Sequence, residues 1–190
     1  MTLREPSSFA DLAVVRLLFE EYQTGIGVDL CFQGFNEELA TLPGGYGRPR
    51  GRLWLAMAGG EAAGCVGIRP FGKEDDPRKS HPSGLSTPSG VPPLRVFRSG
   101  SQRLEAAPAG DCEMKRLYVR PAHRKKGIGR GLAVTAVDAA KELGYQRMYL
   151  DTLSSMIEAT SLYRALGFKE TAPYRHNPLP DVLYFALDLR

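Results

Sequence analysis

The segment CEMKRLYVRPAHRKKGIGRGL, from Cys112 to Leu132, constrains this chain more than any other. Its first eight residues predict a β-strand, and Pro121 follows as a strand terminator. The residues that come after the basic loop, GIGRGLAVTAVDAAKELG, place apolar side chains at helical spacing and predict a helix that ends at Gly144. A strand, a loop and a helix in this order indicate a mixed α/β chain with a central sheet.

The loop inside this unit has the composition of an anion site. It combines basic side chains with glycines: Arg124, Lys125, Lys126, Gly127, Gly129, Arg130 and Gly131. Glycines let a ligand approach the backbone closely, and the first amides of a helix lack partners and favour negative charge. The loop therefore predicts a pyrophosphate site, with a solvated basic turn as the alternative. Leu132 stands where a dinucleotide-binding fingerprint needs its third glycine, and the P-loop pattern is missing.

Periodicity predicts the remaining elements. Helices are expected from Ser7 to Tyr22, with Ser7 or Ser8 as N-cap, and from about Asn36 to Leu42. The segments around Gly59 and Gly60 read as a β-hairpin. Two further strands, RMYLDTL and DVLYFALDL, are expected on either side of a helix in MIEATSLYRALG. From about residue 73 to 110 the chain is rich in Pro, Ser and Gly, and we predict a partly mobile insertion within a single domain of residues 1–190.

Composition narrows the classes of function. A net charge of +4 suits an anionic small ligand without requiring a polyanion, and no apolar run reaches the length of a membrane span. Three scattered cysteines argue against a disulfide framework, so a cytoplasmic location is expected. The histidines and cysteines lack metal-ligand spacing, and no metal site is predicted.

Two motifs together resemble the GNAT superfamily of N-acetyltransferases. CEMKRLYVRPAHRKKGIGRGL is similar to the family signature of a strand, a proline, R/Q-x-x-G-x-G/A and a helix, with Arg124, Gly127 and Gly129 at the key positions. ATSLYRALGFKE is similar to the second family landmark, about forty residues downstream. The resemblance spans the chain from about Ser8 to Leu189 except the Pro-rich insertion. It implies a mostly antiparallel mixed sheet flanked by helices, and acetyl transfer from acetyl-CoA to a primary amine of a small molecule or protein by direct attack in a ternary complex.

The resemblance also implies a donor site. The backbone of Leu117, Tyr118 and Val119 is expected to pair with the pantetheine arm of CoA. The loop from Arg124 to Gly131, including Lys125, Lys126, Ile128 and Arg130, is expected to hold the pyrophosphate. Met156 stands where many members carry an Asn that helps to hold cofactor or substrate, and Ser155 is the expected replacement.

Two side chains are candidates for proton transfer. Tyr163 occupies the family's LY position and is expected to act as general acid; a core aromatic is the alternative. Glu113 opens the strand that carries the pantetheine, and the resemblance implies that it acts as general base. A base is needed because an ammonium has no lone pair for attack. The alternative for Glu113 is a surface carboxylate paired with Lys115 or Arg147.

The resemblance implies that two segments meet the acceptor amine. The segment PYRHNP follows the second landmark, and GIGVDLCFQGFNEEL connects the first two helices. Their candidate residues are Phe32, Gln33, Phe35, Tyr174, Arg175 and Asn177, with Arg175 suited to a carboxylate. A proline-bounded turn is the alternative for PYRHNP.

Two other functions stay open at this stage. An inert GNAT-fold module that keeps CoA as a structural ligand is one, and Met156 leaves room for it. A nucleic-acid binder is the other, although the excess charge is concentrated in one loop and is not spread over a face. We expect acetyl-CoA and an amine as partners, no nucleic acid or membrane, and a monomer or homodimer.

Overall fold

The computed structural model describes residues 1–71 and 110–190. The predicted insertion from about 73 to 110 lies outside the described residues except for Gly110. Short 3-10 turns separate some of the regular elements. In chain order the helices and strands are β1 Thr2–Arg4, α1 Phe9–Ile26, α2 Phe35–Thr41, β2 Arg52–Ala58, β3 Glu61–Pro70, β4 Cys112–Val119, α3 Ile128–Glu142, β5 Arg147–Leu153, α4 Ile157–Ala165, β6 Lys169–Glu170 and β7 Val182–Asp188.

The strands form one mixed sheet. Their order within the described residues is β1-β2-β3-β4-β5-β7-β6. β4 and β5 run parallel, and the other neighbouring pairs run antiparallel. The β2–β3 hairpin turns at Gly59 and Gly60, both with positive φ. A mixed, mostly antiparallel sheet flanked by helices is therefore confirmed.

β4 and β5 separate soon after they begin to pair. Their register contains only Cys112 opposite Met148 and Glu113 opposite Tyr149. On its other side β4 carries an irregularity against β3, and Arg116 there has a φ of 57°. A bulge bends a strand and increases its twist, so the parallel strands open into a wedge beyond Glu113.

Each face of the sheet carries its own apolar core. In β2 the alternation of the strand sends Trp54 and Ala56 to one core and Leu53 and Leu55 to the other. The first core also contains apolar residues of α3, α4 and β7, and the second contains those of α1 and α2. The sheet therefore lies between two helical layers.

The helix ends follow the capping signals of the sequence. The Asp11 amide donates to the Ser8 hydroxyl at 3.1 Å, which confirms Ser8 as the N-cap of α1. Gly27 ends α1 in the left-handed conformation. Among the described residues, no helix is long and apolar enough to span a bilayer.

Candidate active site

The wedge between β4 and β5 opens into a cleft of about 600 Å³. Its walls come from both helical layers, because the end of α1 and the start of α4 flank the two strands. The residues that line it are Tyr22, Gly25, Ile26, Leu117, Tyr118, Val119, Arg124, Lys125, Gly127, Ile128, Gly129, Arg130, Leu153, Ser155, Met156, Ile157, Glu158, Ala159 and Leu162. Most of the predicted donor-site residues thus meet in one cavity.

The start of α3 presents free backbone amides to this cleft. Gly127 is the N-cap, with a φ of 78°, and no side chain caps the helix. The Gly131 amide donates to the Gly127 carbonyl at 3.0 Å as the first turn of the helix closes. The amides from Gly127 to Arg130 come before that bond and have no intrahelical partner. They form an anion site, reinforced by the helix dipole.

The basic side chains of the loop divide into two groups. Arg124 and Lys125 line the cleft, and the Arg124 Nε donates to the Val119 carbonyl at 3.0 Å, which ties the loop to the end of β4. Lys126 is absent from the cleft lining, and its Nζ donates to the Ala122 carbonyl at 3.0 Å.

Gly131 was predicted to hold the pyrophosphate, but in the structure it packs against the β1 segment instead. A Cβ at this position would lie 3.1 Å from Met1 Cε and 3.8 Å from Leu3 Cδ1. Gly131 is also absent from the cleft lining, and its amide already donates within the helix. Its place in the fold is explained by the close packing of the β1 segment against α3.

A small cavity of about 50 Å³ adjoins the deep end of the cleft. The two share Tyr22, Ile26, Leu117, Leu153 and Met156 as lining residues. The polar and aromatic side chains around the small cavity are those of Tyr22, Gln33, Lys115, Arg116, Asp151, Thr152, Tyr163 and Asn177. This is where the donor cleft meets residues of the predicted acceptor side.

Tyr163 reaches the small cavity from α4. Its ring packs against Phe168 and Phe185, with centroids 5.8 and 6.0 Å apart. Its hydroxyl makes no hydrogen bond to another of the described residues. Burial raises the pKa of Tyr163 well above its usual range, so the hydroxyl stays protonated at neutral pH. A protonated hydroxyl at the small cavity can donate a hydrogen bond there, and its raised pKa makes it a weaker acid than a free tyrosine.

Glu113 is enclosed by donors. Arg69 donates to its Oε2 through Nη2 at 2.9 Å, and Arg175 donates to its Oε1 through Nη1 at 2.7 Å. The Tyr174 hydroxyl donates to Oε1 at 2.9 Å, and the Lys115 Nζ lies 3.2 Å from the same oxygen. The side chain is 1% exposed.

These contacts decide the protonation of Glu113. Burial raises its pKa, but the charges of Lys115, Arg175 and Arg69 outweigh burial and hold the pKa far below the usual range. A carboxylate held ionised in this way is a weak base, so its surroundings oppose the general-base role that the family resemblance implies. Arg147, the other proposed partner, pairs with Asp188 instead.

Lys115 and Asp151 extend the cluster to the small cavity. The Lys115 Nζ donates to the Asp151 Oδ1 at 3.0 Å and to the Gln33 Oε1 at 3.3 Å. Burial lowers the pKa of Lys115, although both neighbouring carboxylates favour its charge. Burial raises the pKa of Asp151 and the charge of Lys115 lowers it, with a net decrease. Glu113 and Asp151 are therefore buried carboxylates whose ionised forms the neighbouring cations favour.

The sequence did not identify Arg69, Lys115 or Asp151 as site residues. Each is a charged residue within an otherwise largely apolar strand, which is a signal that the sequence contains. The sequence does not show that they contact one another, because Glu113 and Arg69 are 44 positions apart and Lys115 and Asp151 are 36 apart.

The predicted acceptor residues separate into two sets. Phe32, Gln33 and Arg175 line an open groove of about 800 Å³ on the far side of the charged cluster. Asn177 lines the small cavity and donates to the Asp151 Oδ2 at 2.9 Å. Tyr174 is only 6% exposed and supports the cluster through its hydroxyl.

Phe35 does not contact this groove, contrary to the prediction. Its side chain is 1% exposed and belongs to the core beneath α1 and α2. The Arg116 guanidinium carbon lies 4.9 Å from the centre of its ring. Gly34, in the left-handed conformation, separates it from Phe32 and turns the chain between the two aromatic residues.

Ser155 and Met156 stand at the junction of β5 and α4. Ser155 lines the cleft as an exposed residue. Met156 lines both cavities, and the Thr152 hydroxyl lies 3.5 Å from its Sδ. Met156 is the residue before α4 and gives that helix no side-chain cap. In the part of the chain that the structure describes, no group of His, Cys, Asp and Glu forms a metal site.

Comparison with known proteins agrees with this geometry. A model of the acetyltransferase (GNAT) family matches residues 14–168. An uncharacterised N-acetyltransferase of Schizosaccharomyces pombe is 36% identical over 180 residues, covering 94% of this chain and 89% of that protein. An uncharacterised N-acetyltransferase of Dictyostelium discoideum is 30% identical over 216 residues, covering both chains fully.

Solved structures share the fold at low identity. A GNAT-family acetyltransferase of Staphylococcus aureus superposes with a TM-score of 0.66 at 16% identity, covering 100% of this chain and 99% of that one. An acetyltransferase structure from Salmonella typhimurium, solved with acetyl-CoA, gives a TM-score of 0.62 at 20% identity, covering 100% and 94%.

Proposed function

Because the chain belongs to the acetyltransferase (GNAT) family, we propose that it transfers an acetyl group from acetyl-CoA to a primary amine of a small molecule or protein. One observation carries the proposal. The four free amides at the start of α3 face a cleft that follows the unpaired edge of β4. An inert CoA-binding module would share this cleft, so the reaction itself has to be tested.

The residues of the cleft fit CoA chemically. The amides from Gly127 to Arg130, with the side chains of Arg124 and Lys125, offer donors and positive charge to a pyrophosphate. Beyond Glu113, the edge of β4 that faces β5 has no strand partner, so it can bond to the amides of an extended arm. When bound, acetyl-CoA supplies the acetyl group as an activated thioester.

The chain's own residues supply proton transfer and positioning of the acceptor segment. Tyr163 holds its proton beside the small cavity, and we assign it the role of general acid. We assign Glu113 to positioning, because it binds Arg175 and Tyr174 of the acceptor segment to β4.

The direct test is amine-dependent release of the CoA thiol. The purified protein is incubated with acetyl-CoA and a panel of amino acids, polyamines, aminoglycosides and peptides, and the products are identified by mass. We expect thiol release to match formation of an N-acetylated product. Binding of CoA with no product from any amine would support the inert module. Retention of DNA that CoA does not displace would support the nucleic-acid binder.

A further inference from the structure

Arg175 is a buried guanidinium with most of its donors unused. Its side chain is 8% exposed, and its Nη1 donates to Glu113 at 2.7 Å. That is its only side-chain hydrogen bond among the described residues, whereas a guanidinium carries five N–H donors. Within the same residues, no fully enclosed side-chain nitrogen lacks a partner. The spare donors of Arg175 therefore face open space and not the protein interior.

That space is the groove of about 800 Å³ that Arg175 lines. Gln33 lines both this groove and the small cavity next to the donor cleft. Glu113 and Lys115 connect the same two places beneath the surface. A ligand held at Arg175 thus has a short route to the point where the amine must react.

The other charged groups of the groove leave its inner end suited to an anion. Glu38 also lines the groove, but Arg116 neutralises it through two hydrogen bonds of 2.6 and 2.9 Å. Glu37 and His176 are exposed at the rim, where water screens them. Arg69 also lines the groove, and its Nε and Nη2 both donate to the Glu113 Oε2, so it compensates the charge of Glu113 beside Arg175.

On the basis of the proposed acetyl transfer, we infer that the acceptor is a small amino acid-like molecule whose carboxylate is bound by Arg175 while its amine points past Gln33 into the small cavity. The planar guanidinium fork matches the geometry of a carboxylate. The position of Arg175, enclosed on one side and open on the other, selects for a ligand that ends in this group.

A series of amino acids of increasing length, each paired with its amide, tests the inference. Amino acids with one to five methylenes between amine and carboxylate are each compared with their amides, and binding is measured by calorimetry with and without CoA. At the best chain length we expect the acid to bind at least about tenfold more tightly than its amide, as a charge-assisted pair provides.

Variants assign the effect to Arg175. Arg175→Gln should reduce the preference for the acid to about twofold or less, and Arg175→Lys should keep part of it. Glu113 retains Arg69, Lys115 and Tyr174 in both variants, so the fold should survive. Arg164→Gln is the matched control, since Arg164 is exposed and pairs with Glu170 away from the groove.

Different results would contradict the carboxylate site and the proposed acetyl transfer. Equal binding of acids and amides, no binding of either, or an unchanged preference in Arg175→Gln would overturn the inference. Acid-selective binding without thiol release would instead contradict the proposed acetyl transfer and leave the carboxylate site standing.

Discussion

At the scale of single residues, the site depends on a buried carboxylate whose ionised form is favoured by the cations around it. Glu113 is 1% exposed and is contacted by three cationic side chains and a tyrosine hydroxyl. Buried ions are tolerated only when their charges and hydrogen bonds are compensated. Glu113 compensates Lys115 and Arg175 in return, so its removal should affect the fold as well as the chemistry.

Glu113→Gln should lower the free energy of unfolding at pH 7 by about 3 kcal/mol, because Lys115 and Arg175 lose a buried counter-charge. Urea unfolding measures the difference. Glu170→Gln is the control, since Glu170 forms an exposed pair and should change stability by less than about 1 kcal/mol.

The same variant gives a pH signature. The pKa of Glu113 is lower in the folded state than the usual value of 4.5, so its stabilisation is present above that value and is lost as pH falls towards the folded pKa. The stability difference between the original protein and Glu113→Gln should therefore be full at pH 7 and shrink below about pH 4. A difference that stays constant down to pH 3 would contradict this assignment.

Tyr163→Phe tests the general acid. Loss of the hydroxyl should lower kcat about 100-fold, within the usual range for a proton donor, and leave the KM for acetyl-CoA nearly unchanged. Tyr145→Phe is the matched control, because the Tyr145 hydroxyl donates to the Arg50 carbonyl, and neither residue lines the cleft. Full activity of Tyr163→Phe would show that the general-acid assignment is wrong.

At the scale of elements, the β4–α3 unit was predictable because every local signal agreed. The predicted strand CEMKRLYV has the bounds of β4, and α3 starts at the glycine loop as expected. β1 and β6 were not predicted, since strands of three and two residues show no measurable alternation. They depend on pairing with β2 and β7, which a local pattern does not contain.

The donor side of the candidate site was easier to predict than the acceptor side. Most residues of the donor cleft belong to β4, α3 and the loop between them, which the sequence pattern locates. The acceptor side depends on residues brought together from distant segments. Phe32 and Phe35 are the same residue type in one short segment. The turn at Gly34 places Phe32 in the groove and Phe35 in the core.

Gly129 offers a test of the α3 N-terminus. A Cβ here would lie 3.7 Å from Val119 Cγ2, an ordinary contact, so Gly129→Ala and Gly129→Asp should both fold. The Asp places a negative charge beside the free amides and should weaken CoA binding at least about 100-fold, by charge repulsion within a confined site. Calorimetric titration with CoA measures it.

The stability of Gly129→Asp separates binding from folding. An acid in the first turn of a helix favours the helix by about 0.3–1 kcal/mol. The variant should therefore melt no lower than Gly129→Ala while it loses CoA. Retained affinity would place the pyrophosphate elsewhere in the cleft.

At the scale of the whole molecule, the cleft joins two layers that otherwise pack on opposite faces of the sheet. Tyr22 and Ile26 come from α1 on one side, while Ile128 and Leu162 come from α3 and α4 on the other. The opening between β4 and β5 is the place where both layers meet one ligand. Bound CoA would therefore connect the two apolar cores through the sheet.

This arrangement predicts that CoA stabilises the protein as one unit. At 100 times its Kd, a ligand that binds only the folded state adds about 2.7 kcal/mol. For a chain of this size each kcal/mol corresponds to roughly 2–4 °C, so a single melting transition should rise by about 5–10 °C. Scanning calorimetry across CoA concentrations measures this, with Gly129→Asp as the unresponsive control. Two separate transitions, only one of which moves with CoA, would show that the layers unfold independently and that the ligand does not join them.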